Sequence, residues 1–142
     1  MLKLQEKKNL LADMSINSPS SAAAIICAEL PKEQKEERVF VLSLDANGKM
    51  LAKPIPVSIG HENGTATIDA GAIFCEALKA GAEEIIVAHN HPSGDPTPSK
   101  ADRDATIKLN DGANLVGLEL IDHIIIGSVD SANGLGFVSM AE

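Results

Sequence analysis

Apolar residues along the chain fall into short runs separated by polar, glycine or proline breaks, and the spacing within each run separates helix from strand. In "SPSSAAAIICAEL", Ser18 is placed to cap exposed amides and Pro19 suits a first helical position, so a helix is predicted. The charged "PKEQKEE" ends it. An apolar run from Val39 to Leu44 follows, then a turn at "DANG" and a second extended segment interrupted by Pro54 and Pro56. Proline cannot donate to a sheet ladder, so this second strand belongs at an edge.

After the polar turn "HENG", Asp69 precedes "AGAIFCEALKAG", where Ile73, Phe74, Ala77 and Leu78 recur at helical spacing and Gly81 can close the helix. The strand "EIIVAH" follows at once. A helix opens at Thr97 and Pro98 and runs to about Asn114, and "LELIDHIIIG" and "GLGFVSM" read as closing strands. This interleaving predicts an α/β (α+β) domain with a mixed central sheet flanked by helices. Residues 1–17 show only weak periodicity and are read as a tail or a separate helix, which leaves 18–142 as one domain.

Composition narrows the core and the partners. The chain has 142 residues, enough for one domain with a sizeable core, and its three Phe with no Trp or Tyr make that core aliphatic. A formal charge of −8 works against non-specific attraction to nucleic acid or an anionic membrane. Cys27 and Cys75 lie in apolar segments without a disulfide framework and are expected as reduced core thiols. No apolar run is long enough to span a bilayer, and the N-terminus lacks a signal-peptide pattern, so a cytoplasmic protein without a membrane partner is expected. Self-association into a homo-oligomer is left open.

The chemistry is concentrated in "VAHNHPSGDPTPSKAD". On a strand ending in "VAHNH", His89 and His91 share a face and Asn90 faces the other way. The chain then bends, and Ser99 and Asp102 fall three residues apart on the first turn of the next helix, where a carboxylate is favoured. Two imidazoles and a carboxylate match the ligand set of a catalytic zinc, with one position left for water. Spacing by itself leaves both a metal site and a structural polar loop open.

"HNHPSG" followed by "PSKAD" resembles the metal motif of the JAB/MPN metalloprotease superfamily, His-x-His, seven residues, Ser, two residues, Asp, and most closely its RadC-like branch. The likeness runs from about Ser18 to the C-terminus and includes "DHIIIG" and "FVSMAE". It implies a single JAB/MPN-like domain with layering like that of cytidine deaminases. It further implies that His89, His91 and Asp102 bind one zinc ion per chain, that Ser99 donates a hydrogen bond in the transition state, and that Glu37 is the general base. On its residues alone, Glu37 reads as a solvated charge closing "KEQKEE"; only the match of "ERVFVLSLD" to the family's first core strand selects it over Glu36.

Asp122 and His123 match the family's "DH" pair, with a role beside the metal site and purely local hydrogen bonding both open. RadC-like proteins commonly carry "HPRE" where this chain has "DAGA" from Asp69 to Ala72, so any role of those polar groups is absent or reassigned. Long relatives also carry an N-terminal helix-hairpin-helix region associated with DNA, and the residues before Glu37 are too few to contain it. His61 receives no role, while Ser93 and Gly94 are expected to shape the bend after His91. The expected function is therefore a zinc-dependent hydrolase of peptide or isopeptide bonds acting on a peptide or protein. A DNA repair-associated protein or metal-dependent nuclease is the alternative, and a non-catalytic interaction domain is disfavoured by the complete ligand set.

Overall fold

A computed structural model describes residues 15–60, 68–128 and 136–141. Ser18 has extended backbone, and its hydroxyl accepts the Ser21 amide while its own amide donates to the Ser21 hydroxyl. This reciprocal cap starts α1 (Pro19–Cys27), with Pro19 in the first turn, where its missing N–H costs little. β1 (Arg38–Leu44) leads into a turn in which the Asp45 carboxylate accepts the amides of Asn47 and Lys49 at 2.8 and 3.0 Å, and Gly48 takes the positive φ of 78°. β2 (Pro56–Ile59) is shorter than the extended segment predicted, because Pro56 can begin a strand but not continue a ladder through its nitrogen.

Asp69 caps α2 (Ala70–Lys79), accepting the Ala72 amide at 3.1 Å, and Gly81 follows the helix with a positive φ. β3 (Glu84–Asn90), α3 (Lys100–Leu115), β4 (Glu119–Ile126) and β5 (Phe137–Ser139) complete the order. The sheet runs β2-β1-β3-β4-β5, with β2 at an edge as its prolines predicted. β3 and β4 are parallel and every other neighbouring pair is antiparallel. A parallel pair needs a crossover, which α3 supplies.

The sheet carries a core on each face. Against α1, Ala22, Ala23 and Ile26 pack on Phe40, Leu42, Ile86 and Ile124. On the other face, Ile73 and Ala77 of α2 and Leu109 and Ala113 of α3 pack on Val39, Val41, Ile85 and Val87. The protein is thus a single α+β domain with a five-stranded mixed sheet flanked by three helices among the described residues. In β4 the ladder skips Ile121, since Leu120 pairs with Ile85 and Asp122 with Ile86. This bulge sets Leu120 and His123, an odd number of positions apart, on the same face of the sheet.

Several expectations are corrected. α3 begins at Lys100 rather than at Thr97, because Ser99 is its cap and holds non-helical backbone. Leu78 is half exposed despite its helical spacing, and Cys75 is exposed rather than in the core, because α2 turns Ile73 and Ala77 to the sheet and these two away. Cys27 is half-buried, which pushes its thiol pKa up. Both cysteines are free. Most of the N-terminal segment, together with "HENG" and His61, lies outside the described residues, but Ile16 donates to the Gly48 carbonyl at 2.8 Å and packs on the α1 core. Among the described residues no helix is long and apolar enough to cross a membrane.

Ile26→Ala, which empties a fully buried site under α1, is expected to lower stability by roughly 2–5 kcal/mol in chemical denaturation. Ile107→Ala, on the exposed face of α3, should stay within about 0.5 kcal/mol of the parent. Equal losses at the two positions would contradict this packing.

Candidate metal centre

β3 brings His89 and His91 to the face that carries α2 and α3, and antiparallel pairing sets Val39 opposite His89. Glu37, two residues before Val39, is thereby delivered to the same face just beyond the end of β1. Its Oε1 lies 3.6 Å from His89 Nε2. Glu36, the alternative in sequence, instead approaches Arg38 on the outer surface at 3.9 Å.

Ser99 and Asp102 come together as a cap rather than as two residues inside a helix. The Ser99 hydroxyl accepts the Asp102 amide at 3.0 Å, and the Ser99 amide donates to Asp102 Oδ2 at 2.8 Å. This fixes the carboxylate toward the histidines, with Oδ1 3.1 Å from His89 Nε2 and Oδ2 3.1 Å from His91 Nε2. Burial opposes ionisation of Asp102, but its contact with His89 and the hydrogen bonds from Ser99 outweigh it, so the carboxyl titrates below the usual range.

The proton positions follow from counting donors. Thr106 donates its only hydroxyl proton to the Asp102 carbonyl at 2.9 Å, so at 2.6 Å it must accept from His123 Nδ1. Burial, reinforced by the neighbouring His89, pushes the His123 pKa down to about 3, and the neutral ring offers Nε2 as an acceptor. His89 Nδ1 therefore donates to His123 Nε2 at 2.8 Å, which in the neutral ring leaves the lone pair on His89 Nε2. His91 Nδ1 donates to the Asp95 carbonyl at 2.9 Å and likewise leaves Nε2 bare.

The two bare nitrogens lie 3.2 Å apart, each against an oxygen of ionised Asp102. With both rings neutral, four acceptor atoms face one another, an arrangement suited to a cation between them. One divalent cation there would satisfy all four atoms at once. The residues thus fit a metal ion, and donor atoms of Glu37, His89 and His91 also lie within 4.8 Å of one another. A mixed imidazole and carboxylate set suits several transition metals.

The centre opens on a cleft of about 510 Å³ lined by Glu37, His91, Ser99 and Asp102 and walled by Ile68, Ala70, Ala105 and Leu109. Its size falls within the usual range for small-molecule and peptide sites. Asp69 to Ala72 supplies a helix cap and the small Ala70 wall.

A family model described as a RadC-like JAB domain matches residues 16–142. The chain belongs to that family. A UPF0758 protein of Clostridium botulinum is 41% identical over 116 residues, covering 81% of this chain and 49% of the relative. One from Clostridium perfringens is 38% identical over 121 residues, covering 85% and 52%, and one from Carboxydothermus hydrogenoformans is 47% identical over 94 residues, covering 66% and 41%. The chain therefore spans about half the length of the curated relatives it matches. Membership of the RadC-like JAB family, with the cluster of histidines and carboxylates, supports a metal-dependent hydrolase-like role.

Of the two residues left open in sequence, His123 lies beside the centre and Asp122 does not. Asp122 faces away, accepting its neighbour's amide, the Ala141 amide and, at 2.6 Å, the Ser139 hydroxyl, and so ties the C-terminal segment to β4. Sequence reasoning missed Thr106, although its position one turn after Asp102 was a usable signal. Gly94 shapes the bend as expected, with a φ of 89°. A Cβ on Gly127 would meet the Gly94 carbonyl oxygen and Pro96 at 2.6 Å, so a bare Gly127 lets the loop carrying the Asp95 carbonyl sit close.

His123→Ala removes the partner that orients His89. It is expected to weaken metal affinity about 10- to 100-fold, read by competition with a chelating dye. Thr106→Val should weaken it less, and undiminished affinity in His123→Ala would show that His89 is oriented without it.

Proposed function

We propose that this RadC-like JAB domain is a zinc-dependent hydrolase of peptide or isopeptide bonds. The observation that supports it is the convergence of His89 Nε2, His91 Nε2 and both Asp102 oxygens, with the Glu37 carboxylate 3.6 Å from His89 on the cleft side. His89, His91 and Asp102 would hold the ion. When bound, zinc supplies Lewis acidity that makes water easier to deprotonate and a carbonyl easier to attack.

The chain supplies the remaining steps. Glu37 accepts the proton of the attacking water at its carboxylate and returns it to the leaving amine. The Ser99 Oγ accepts the Asp102 amide, and its hydroxyl proton, which otherwise serves the Asp102 carboxylate, turns to donate to the carbonyl oxygen as negative charge develops there. Asp102, gripped by Ser99, is assigned to the metal rather than to proton transfer because both its oxygens already face the histidines. Ile68, Ala70, Ala105 and Leu109 give the cleft an apolar wall against which a peptide side chain can seat and displace water.

Purified protein is expected to contain about one equivalent of zinc by elemental analysis, lost in His89→Ala and Asp102→Ala. Glu37→Gln should keep the zinc and lose hydrolysis of a mixed peptide library, followed by mass spectrometry, by about 100-fold or more. A parent protein without zinc would overturn the reading, and unchanged hydrolysis in Glu37→Gln would remove Glu37 from it.

A further inference from the structure

Strand alternation turns His89 and His91 toward the centre and sends the residue between them to the opposite face. Asn90 is nonetheless almost fully buried, and its amide is spent on the chain segment that carries Glu37. Its Oδ1 accepts the Arg38 amide at 2.7 Å, and its Nδ2 donates to the Glu36 carbonyl at 3.0 Å and to the Gln34 side-chain oxygen at 2.8 Å. The orientation of the amide is fixed by these partners, since a flipped amide would set oxygen against two oxygens and N–H against N–H.

In an extended chain the carbonyl before a residue and the amide after it point to the same side. Asn90 therefore grips the two backbone groups that flank Glu37, as a neighbouring strand would. On the other side the Glu37 carbonyl accepts the Gly60 amide at 2.7 Å. Glu37 lies past the end of β1, beyond the regular ladder, yet its backbone is held from both sides.

We propose that Asn90 is a positioning residue that acts through Glu37, using its side-chain amide as a one-residue extension of the β1–β3 ladder to set the Glu37 carboxylate at the centre. The inference rests on the reading of Glu37 as the proton acceptor. It gives the middle residue of His-Asn-His a task distinct from metal binding. One short stretch at the end of β3, His89 to His91, then supplies two metal-facing rings and the clamp for the base, so the spacing between base and metal is set by three consecutive residues.

The test compares the parent with Asn90→Ala, which removes all three bonds, and the near-isosteric Asn90→Asp, which keeps an acceptor for Arg38 but loses both donors. In metal-free protein, amide hydrogen exchange read by NMR should quicken at Arg38 at least tenfold in Asn90→Ala while Val41 and Ile124 keep their rates. Asn90→Asp should protect Arg38 but release the Glu36 side of the clamp. With Co2+ as the probe, all three proteins should bind one equivalent, because His89, His91 and Asp102 are untouched. The paramagnetic shifts of the Asp102 amide should persist and those of the Glu37 amide should change in both variants, a local signature that general loss of stability would not give.

Parent-like Arg38 exchange in Asn90→Ala, or parent-like Glu37 shifts in both variants, would overturn the proposal. Should Asn90→Ala not fold, Asn90→Asp decides alone, by whether its Glu37 shifts move. Failure of the parent to bind Co2+ would instead count against the metal centre, and Arg38 exchange would still decide whether Asn90 clamps the segment.

Discussion

Val39 lies opposite His89 in the antiparallel pairing of β1 with β3, and every group at the centre takes its place from that register. With side chains alternating along both strands, the pairing puts Glu37, His89 and His91 on the face covered by α2 and α3. A one-residue slip would send the imidazoles toward α1 and carry Glu37 away from them. The register itself is fixed by burial, since Val39, Val41, Ile85 and Val87 belong to one core and Phe40, Leu42, Ile86 and Ala88 to the other.

The second constraint is electrostatic. His89 and His91 use one ring nitrogen each on protein partners, and both remaining nitrogens meet a carboxylate that is already ionised. The Ser99 cap and the Thr106–His123 pair thus do more than satisfy buried polar groups. They orient the Asp102 carboxylate and the His89 ring, and so bring acceptor atoms together at one point beside the cleft.

Much of this was legible in the sequence wherever one local rule decided the outcome. His-x-His on a strand and Ser-x-x-Asp at a helix start are such cases, as is the edge position forced by Pro56. Legibility failed where the answer depended on a partner elsewhere in the chain. Glu37 looked like a solvated charge because nothing local shows that Val39 pairs with His89, and only a family resemblance singled it out. Leu78 and Cys75 share a helix with buried residues, but the sheet they would need is already covered by Ile73 and Ala77. His123 is the hardest case, because strict alternation from Leu120 assigns it to the wrong face.

That last difficulty has a constructive side. The bulge at Ile121 holds one spare residue ahead of Asp122 and His123, so the two halves of β4 keep separate alternation. A one-residue change of register at Ile121 thereby decides which face of the sheet carries the ring behind His89.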